Sequence, residues 1–425
     1  MRVAPFIGEG INQQNAVAMD ANFHLLAHMH VLYFGPIECA RHSFSGLAED
    51  EDASVLVVND LQTSLGETES HVEEAVREIS AGDATIEGFV LCTACQTAFL
   101  GIDFDALCRR LNESTGLYFM HVEFNRMYAG NIPGKTRKDI SGGDRLHVRR
   151  ELIKMLAQHA GAASDGKGIL VLSDDPLDEE NDLHDYLELE GISWVRSVGG
   201  MDGAKMLLAC RDAALALVMT PTWREAGEYL EDTLGIPVKY VPMSYSEGEI
   251  AEQYQRIDQL LEEHGSAAAW EEVHNTREKR RQHVHARLEA AVRKAPALDL
   301  DLRVVNRPFS LVEALMDYGF TVRDFTPGTQ QVNHKEPDDL PAYQRLSEKR
   351  PDIGARFRVQ PKSPGKKGGS MVGQGRRGRY IYTSKPKHIE RVPEETCWWG
   401  YSSLEALLGY IEEDIRKAQA GGGAL

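Results

Sequence analysis

The chain has 425 residues, 42% apolar and 26% charged, a globular composition with enough apolar side chain for two or three cores. Its net charge of −18, from 65 acidic against 47 basic side chains, disfavours nucleic acid and anionic membranes and suits a basic protein partner. Six cysteines are too few for a disulfide scaffold, no apolar run approaches a membrane span, and the N-terminus lacks a secretory pattern, so a reduced, cytoplasmic protein is expected.

In chain order, the apolar run His30–Phe34 stops at Gly35 and Pro36. Ser54–Asn59 reads as a buried strand, Glu67–Ser80 as a helix, Thr85–Cys92 as a strand and Phe104–Asn112 as the start of a helix. The small-residue stretch Gly161–Gly168 is a linker. A second series follows: strand Gly168–Ser173, helix His184–Glu190, strand Ser193–Ser197, helix Gly203–Asp212, strand Ala214–Met219, helix Trp223–Leu234 and strand Pro237–Val241. Beyond the charged helix Ala268–Lys294 the pattern thins. Strands Leu302–Val305 and Thr321–Phe325 flank helix Ser310–Tyr318, and a strand at Tyr380–Thr383 and a helix at Ser402–Lys417 finish the chain. Alternating strands and helices predict an α/β protein of three Rossmann-like, doubly wound parallel-sheet domains in series, the third reduced. The expected ranges are 1–162, 163–265 and 266–425, the last with a basic, Gly-rich loop at about 326–379 that is expected to be mobile.

The chemistry gathers at the cysteines. Open parallel sheets bind ligands beyond the carboxyl ends of their strands, and there the chain puts Cys39, in GPIECARHSFS, and Cys92 and Cys95, in CTACQTAFLGIDF. Thiolates hold iron–sulfur clusters. Three of them on two adjacent loops suffice for three corners of a [4Fe–4S] cube, the fourth ligand coming from elsewhere, such as another subunit. Gly35 and Pro36 let backbone approach the cluster, Arg41 offsets its negative charge, and His42 can tune its potential or deliver protons. A Cys-x-x-Cys pair is equally compatible with a redox dithiol, half a zinc site or two buried cysteines, although no second pair completes a zinc tetrahedron. Arg41 and His42 also suit a surface ion pair. Cys108 and Cys210 sit on apolar helix faces and read as core, and Cys397, beside two tryptophans, has no assignment. His24 and His28 share one face if helical, Asp103 and Asp105 suit the start of a helix, and no phosphate-binding GxxxxGK[ST] motif occurs.

At these residues the chain resembles the nitrogenase component 1 family. Gly35–Ser45 is similar to its Gly-Pro-x-x-Cys cluster loop. Cys92–Phe104 is similar to its second cysteine loop, with Cys95 on the ligand, Gly101 on the glycine and Asp103 on the second aspartate. Phe124–Arg137, Gly168–Val241, Pro308–Val322 and Lys387–Leu407 resemble later family segments in the same order. The resemblance implies an iron–sulfur cluster, an ATP-dependent iron–sulfur reductase as electron donor, and pairing with a homologous or identical subunit. There are departures. The family's earliest cluster cysteine falls near Gln13, Gln96 replaces a proline, Met219 stands at the cofactor cysteine of nitrogenase α subunits, and the cofactor histidine has no clean match although His388 lies nearby. A nitrogen-fixing subunit is therefore not expected. Two function classes follow: a catalytic subunit of a nitrogenase-like reductase, or a non-catalytic protein on the same fold, either a scaffold for cofactor assembly or a cluster-free binding module.

Overall fold

In the computed structural model, residues 26–35, 53–58, 65–94, 102–124, 143–159, 167–173, 176–263, 270–295, 297–302, 307–327, 339–352 and 399–420 are described. The strands are β1 (Met29–Gly35), β2 (Ala53–Val57), β3 (Gly88–Ala94), β4 (Tyr118–Phe124), β5 (Gly168–Leu172), β6 (Trp194–Ser197), β7 (Leu215–Val218), β8 (Val238–Tyr240), β9 (Leu298–Leu302) and β10 (Val322–Pro327). The α-helices are α1 (Thr68–Gly82), α2 (Phe104–Thr115), α3 (Gly143–Gln158), α4 (Ala204–Leu208), α5 (Arg224–Leu234), α6 (Glu247–Glu263), α7 (Trp270–Lys294), α8 (Pro308–Asp317), α9 (Leu340–Lys349) and α10 (Gly400–Ala420).

The first sheet has the order β2-β1-β3-β4, every neighbouring pair parallel. Parallel strands covered on both faces need apolar side chains on both, and β1 is buried from end to end. On one face Leu32, Phe34, Leu56, Phe89, Leu91 and Phe119 form a layer beneath α1 and α2. Val72, Ala75, Val76 and Ile79 of α1, and Phe104, Leu107, Cys108 and Leu111 of α2, recur at i, i+3, i+4, i+7 and give each helix one apolar stripe for that layer. Each fully buried Leu or Val there contributes about 1.5–3 kcal/mol of transfer free energy. Helix α2 starts where the Asp103 carboxylate accepts the Ala106 N–H at 2.9 Å, and stops at Gly116, with φ 74°. Helix α3 packs against β4 and α5, and the buried Arg149 guanidinium lies 5.4 Å from the Trp223 ring centre.

A second sheet has the order β6-β5-β7-β8, with β5 and β7 wholly buried, and β9 and β10 form a parallel pair. The chain divides into two compact units. One comprises Met1–Asp174, Arg196–Ala216 and Thr222–Val238; the other comprises Asp175–Val195, Leu217–Pro221 and Lys239–Leu425. Each unit is discontinuous in sequence, whereas the sequence reading cut the chain into three consecutive ranges.

In the first unit, Glu87 ties the amino end of β3 to the start of α4. Its carboxylate accepts the Lys205 backbone N–H and pairs with Lys205 Nζ, both at 3.0 Å. Gly203 has φ 100°, and a Cβ there would stand 2.5 Å from Glu87 Oε2. Gly203→Ala is therefore expected to cost more than about 1 kcal/mol of stability, read as a lower urea midpoint. An unchanged midpoint would mean that this approach is not made in solution.

In the second unit, α7 carries charge nearly all round and buries only a thin stripe including Val273, Val284, Leu288 and Ala291. Ion pairs complete its attachment. Arg277 bonds Asp258 of α6 at 2.8 Å and lies between Tyr186 and Tyr254, 4.5 and 4.2 Å from their ring centres. Arg280 bonds Asp182 and Asp185 of a 3₁₀ helix (Asp182–Glu188), and Arg287 bonds Glu405 and Glu412 of α10.

Several elements differ from the sequence reading. β4, α3, α6 and α9 were not anticipated, and α9 falls inside the polar stretch expected to be mobile. β9 begins at Leu298 rather than Leu302, the helix expected at His184–Glu190 is a 3₁₀ segment, and α4 is shorter than Gly203–Asp212. The strand expected at Tyr380–Thr383 and the basic run 362–379 lie outside the described residues. Among the described residues no helix is long and apolar enough to cross a membrane.

Candidate functional site

Strands β1 and β3 are neighbours and end level with each other. Phe34 pairs with Thr93, β1 closes at Gly35 and β3 at Ala94. Cys39 comes four residues after β1, and Cys95 is the first residue after β3. Adjacent strands lie about 4.8 Å apart, and four residues reach at most about 14 Å. The chain thus leaves β1 and β3, the two central strands, side by side at the carboxyl edge of the sheet, and Cys39 and Cys95 follow within four residues along the sequence. Cys39 and Cys95 themselves lie outside the described residues, as do Pro36, Arg41, His42, Gly101, His24 and Cys397.

Gly35, the last residue of β1, has φ 156°, a backbone conformation that residues with a side chain rarely adopt. A Cβ there would stand 2.7 Å from Tyr33 Oη, and the Gly35 carbonyl accepts the Val58 N–H at 3.1 Å.

Cys92 lies inside β3 rather than in the connection that follows. It pairs with Tyr33 on one side and Val122 on the other. Strand alternation puts its side chain on the face opposite Leu91 and Thr93. Its exposure is 0%, so no water-sized space adjoins the sulfur, and burial pushes the thiol well above its usual range. In this conformation it is a core thiol, and ligating a metal would require the strand to move. Cys108 packs against the α1–α2 layer with its thiol pushed up to about 12, by burial first and then by Asp105 and Glu151. Cys210 is buried and donates to the Met206 carbonyl at 3.3 Å. Cys210 is a core residue, in the turn after α4 rather than on the helix, and Cys108 is a partly buried residue of α2 packed on the core.

Other sequence candidates have local partners. Asp103 caps α2, and Asp105 pairs with Lys154 at 3.0 Å. His28 bonds Asp202 at 3.1 Å and His30 bonds Ser54 Oγ at 2.9 Å, and among the described residues no group of His, Cys, Asp and Glu forms a metal site. Met219, just past β7, is buried.

The sequence reading missed a cluster that joins β1, β3, β4 and the start of α2. His121 Nε2 is 2.9 Å from Thr93 Oγ1, its ring stacks on Phe104 with centres 3.9 Å apart, and Phe104 in turn meets Phe34 at 5.8 Å. Phe34 is the last residue before Gly35, and Thr93 is two residues before Cys95. A β4 strand drawn through YFMHVEF would have put His121 at mid-strand, on the strand beside β3.

A family model described as nitrogenase component 1 type oxidoreductase matches residues 15–297. A solved structure described as nitrogenase Cp1 at pH 6.5 has a TM-score of 0.55 at 13% identity, covering 98% of this chain and 96% of that one. A second, nitrogenase Cp1 at pH 5, has a TM-score of 0.45 at 13% identity, covering 88% and 76%. At such identity the first likeness concerns the fold, an α/β architecture with parallel sheets. No curated protein matches the chain.

Proposed function

The chain belongs to the nitrogenase component 1 type oxidoreductase family, and on that premise we propose that it is the electron-accepting subunit of a nitrogenase-like reductase. Cys39 and Cys95 are its cluster ligands. An ATP-dependent iron–sulfur reductase delivers electrons, and a homologous or identical subunit supplies the remaining ligands across a twofold axis. When bound, an iron–sulfur cluster supplies one-electron storage at a potential tuned by charge, hydrogen bonding and exposure.

The observation that supports this reading is that β1 and β3 end level as neighbouring strands, with Cys39 four residues and Cys95 one residue further along the chain. The residues fit the group in kind: soft thiolate donors, a glycine at the last position before the first connection, and a guanidinium and an imidazole next to Cys39 at Arg41 and His42. Arg41 balances negative charge, and His42 holds a proton that can be passed on. Cys92 stays a core thiol. Two thiols per chain, rather than three, make the partner subunit part of the site.

Mixing the pre-reduced reductase with anaerobic protein and ATP is expected to reduce this chain, read as a new paramagnetic signal that is absent without ATP. No signal in either mixture would remove the proposal. A second reading, a scaffold for cofactor assembly, is favoured by Met219, a buried thioether where a cofactor cysteine would be needed. It predicts the same ATP-dependent reduction with no substrate consumed and with transfer of a metal cofactor to another protein.

A further inference from the structure

We infer that His121 is a positioning residue that holds both ends of the connection carrying Cys95, an inference that rests on the function proposed above. The connection between β3 and α2 leaves the sheet after Ala94 and rejoins regular structure at Phe104. One side chain touches both ends. At the leaving end, Thr93 has 0% exposure, so its hydroxyl needs a protein partner. His121 Nε2, 2.9 Å away, is that partner. At the rejoining end, Phe104 lies against the same imidazole, with ring centres 3.9 Å apart and planes 13° from parallel.

The register explains the reach. His121 pairs with Leu91 on β3, so Thr93 is its diagonal neighbour on the same face, under α2. Phe34 then packs on Phe104 at 5.8 Å, and the cluster extends to the strand end that precedes Cys39. A ligand thiol is useful only if its backbone is held in place, and the residues behind metal ligands do that work. His121 is half-buried on a strand, which gives it a rigid base.

The test uses iron-free full-length protein and a small alkylating agent, with the sites resolved by mass mapping. The readout is the alkylation rate of Cys95 relative to Cys39. His121→Phe keeps the stack and loses the hydrogen bond; Thr93→Val loses the same bond from the other side. Each is expected to raise the ratio several-fold, and the double variant no further. Thr93→Ser, which keeps the hydroxyl, is expected to restore the wild-type ratio. Val72→Ala, a destabilising change in the same layer on α1, is expected to leave the ratio unchanged. An unchanged ratio in His121→Phe and Thr93→Val, or an equal rise in Val72→Ala, would overturn the inference. Because this readout needs no metal, it is separate from the iron content of the wild-type protein, which decides the function proposed above.

Discussion

Cys39→Ala and Cys95→Ala are each expected to strip the anaerobically purified protein of iron and acid-labile sulfide, while Cys92→Ala, Cys108→Ala and Cys210→Ala retain both. Each described cysteine in the second group is accounted for by packing. Cys92 is enclosed in the first sheet, Cys108 packs against the α1–α2 layer, and Cys210 is buried with its sulfur bonded to a carbonyl. Removing the Cys92 sulfur costs stability on the scale of a small core deletion, about 1 kcal/mol, without removing a ligand. Cys39 and Cys95 differ because each follows the carboxyl end of one of two neighbouring strands. Losing either takes one corner per chain from the cluster, and a neutral methyl cannot replace a thiolate. Loss of iron from a folded Cys92→Ala variant would return that residue to the ligand set. Full iron in Cys39→Ala and in Cys95→Ala would refute the assignment.

Asp182→Ala is expected to destabilise the protein by about 3–5 kcal/mol, the scale for breaking a buried charged pair from one side. The Asp182 side chain is 0% exposed and accepts four hydrogen bonds. They come from Arg280 at 3.1 Å, the backbone N–H groups of Tyr401 at 2.7 Å and Ser402 at 3.0 Å, and the Tyr254 hydroxyl. Its carboxylate thus caps the start of α10 and meets α6 and α7 at one point. Without it, two backbone donors and a phenol lose a buried acceptor, each at a cost of about 1–3 kcal/mol before relaxation. Arg280 keeps Asp185 at 2.6 Å, which limits the loss. Gly400→Ala tests the same junction from the helix side. Its φ is 76°, and a Cβ would stand 2.8 Å from both Asp182 Oδ2 and Tyr254 Oη. Both variants should show a large drop in urea midpoint. A loss below about 1 kcal/mol in Asp182→Ala would mean that the junction is not closed in solution.

The first sheet and its helices were legible because their patterns are local. Val72, Val76 and Ile79 lie on one helical stripe, and after His30 the run Val31–Phe34 is apolar or aromatic throughout, as a strand buried on both faces requires. β4 was passed over because His121 and Glu123 interrupt an otherwise apolar and aromatic run. The helix α6 was available in the spacing of Ile250, Tyr254, Ile257 and Leu261, and α9 was hidden by judging its surroundings on composition. Asp182 could not be read at all: an aspartate in a polar stretch looks like surface, and its burial comes from helices 72 to 220 residues further along. The same limit applies to Cys92. Its spacing from Cys95 suggested a ligand pair, but which face of β3 it occupies, and what covers that face, are tertiary facts.

The account stands on two thiols at adjacent strand ends holding an iron–sulfur cluster. Its most direct measurement is iron and acid-labile sulfide in the full chain purified without oxygen, with low-temperature electron paramagnetic resonance after chemical reduction. The account predicts iron and sulfide in equal amounts, about four of each per pair of chains for a single shared four-iron cube, and a reduced-cluster signal that Cys95→Ala abolishes. Folded protein free of iron and sulfide, with no such signal, would contradict it.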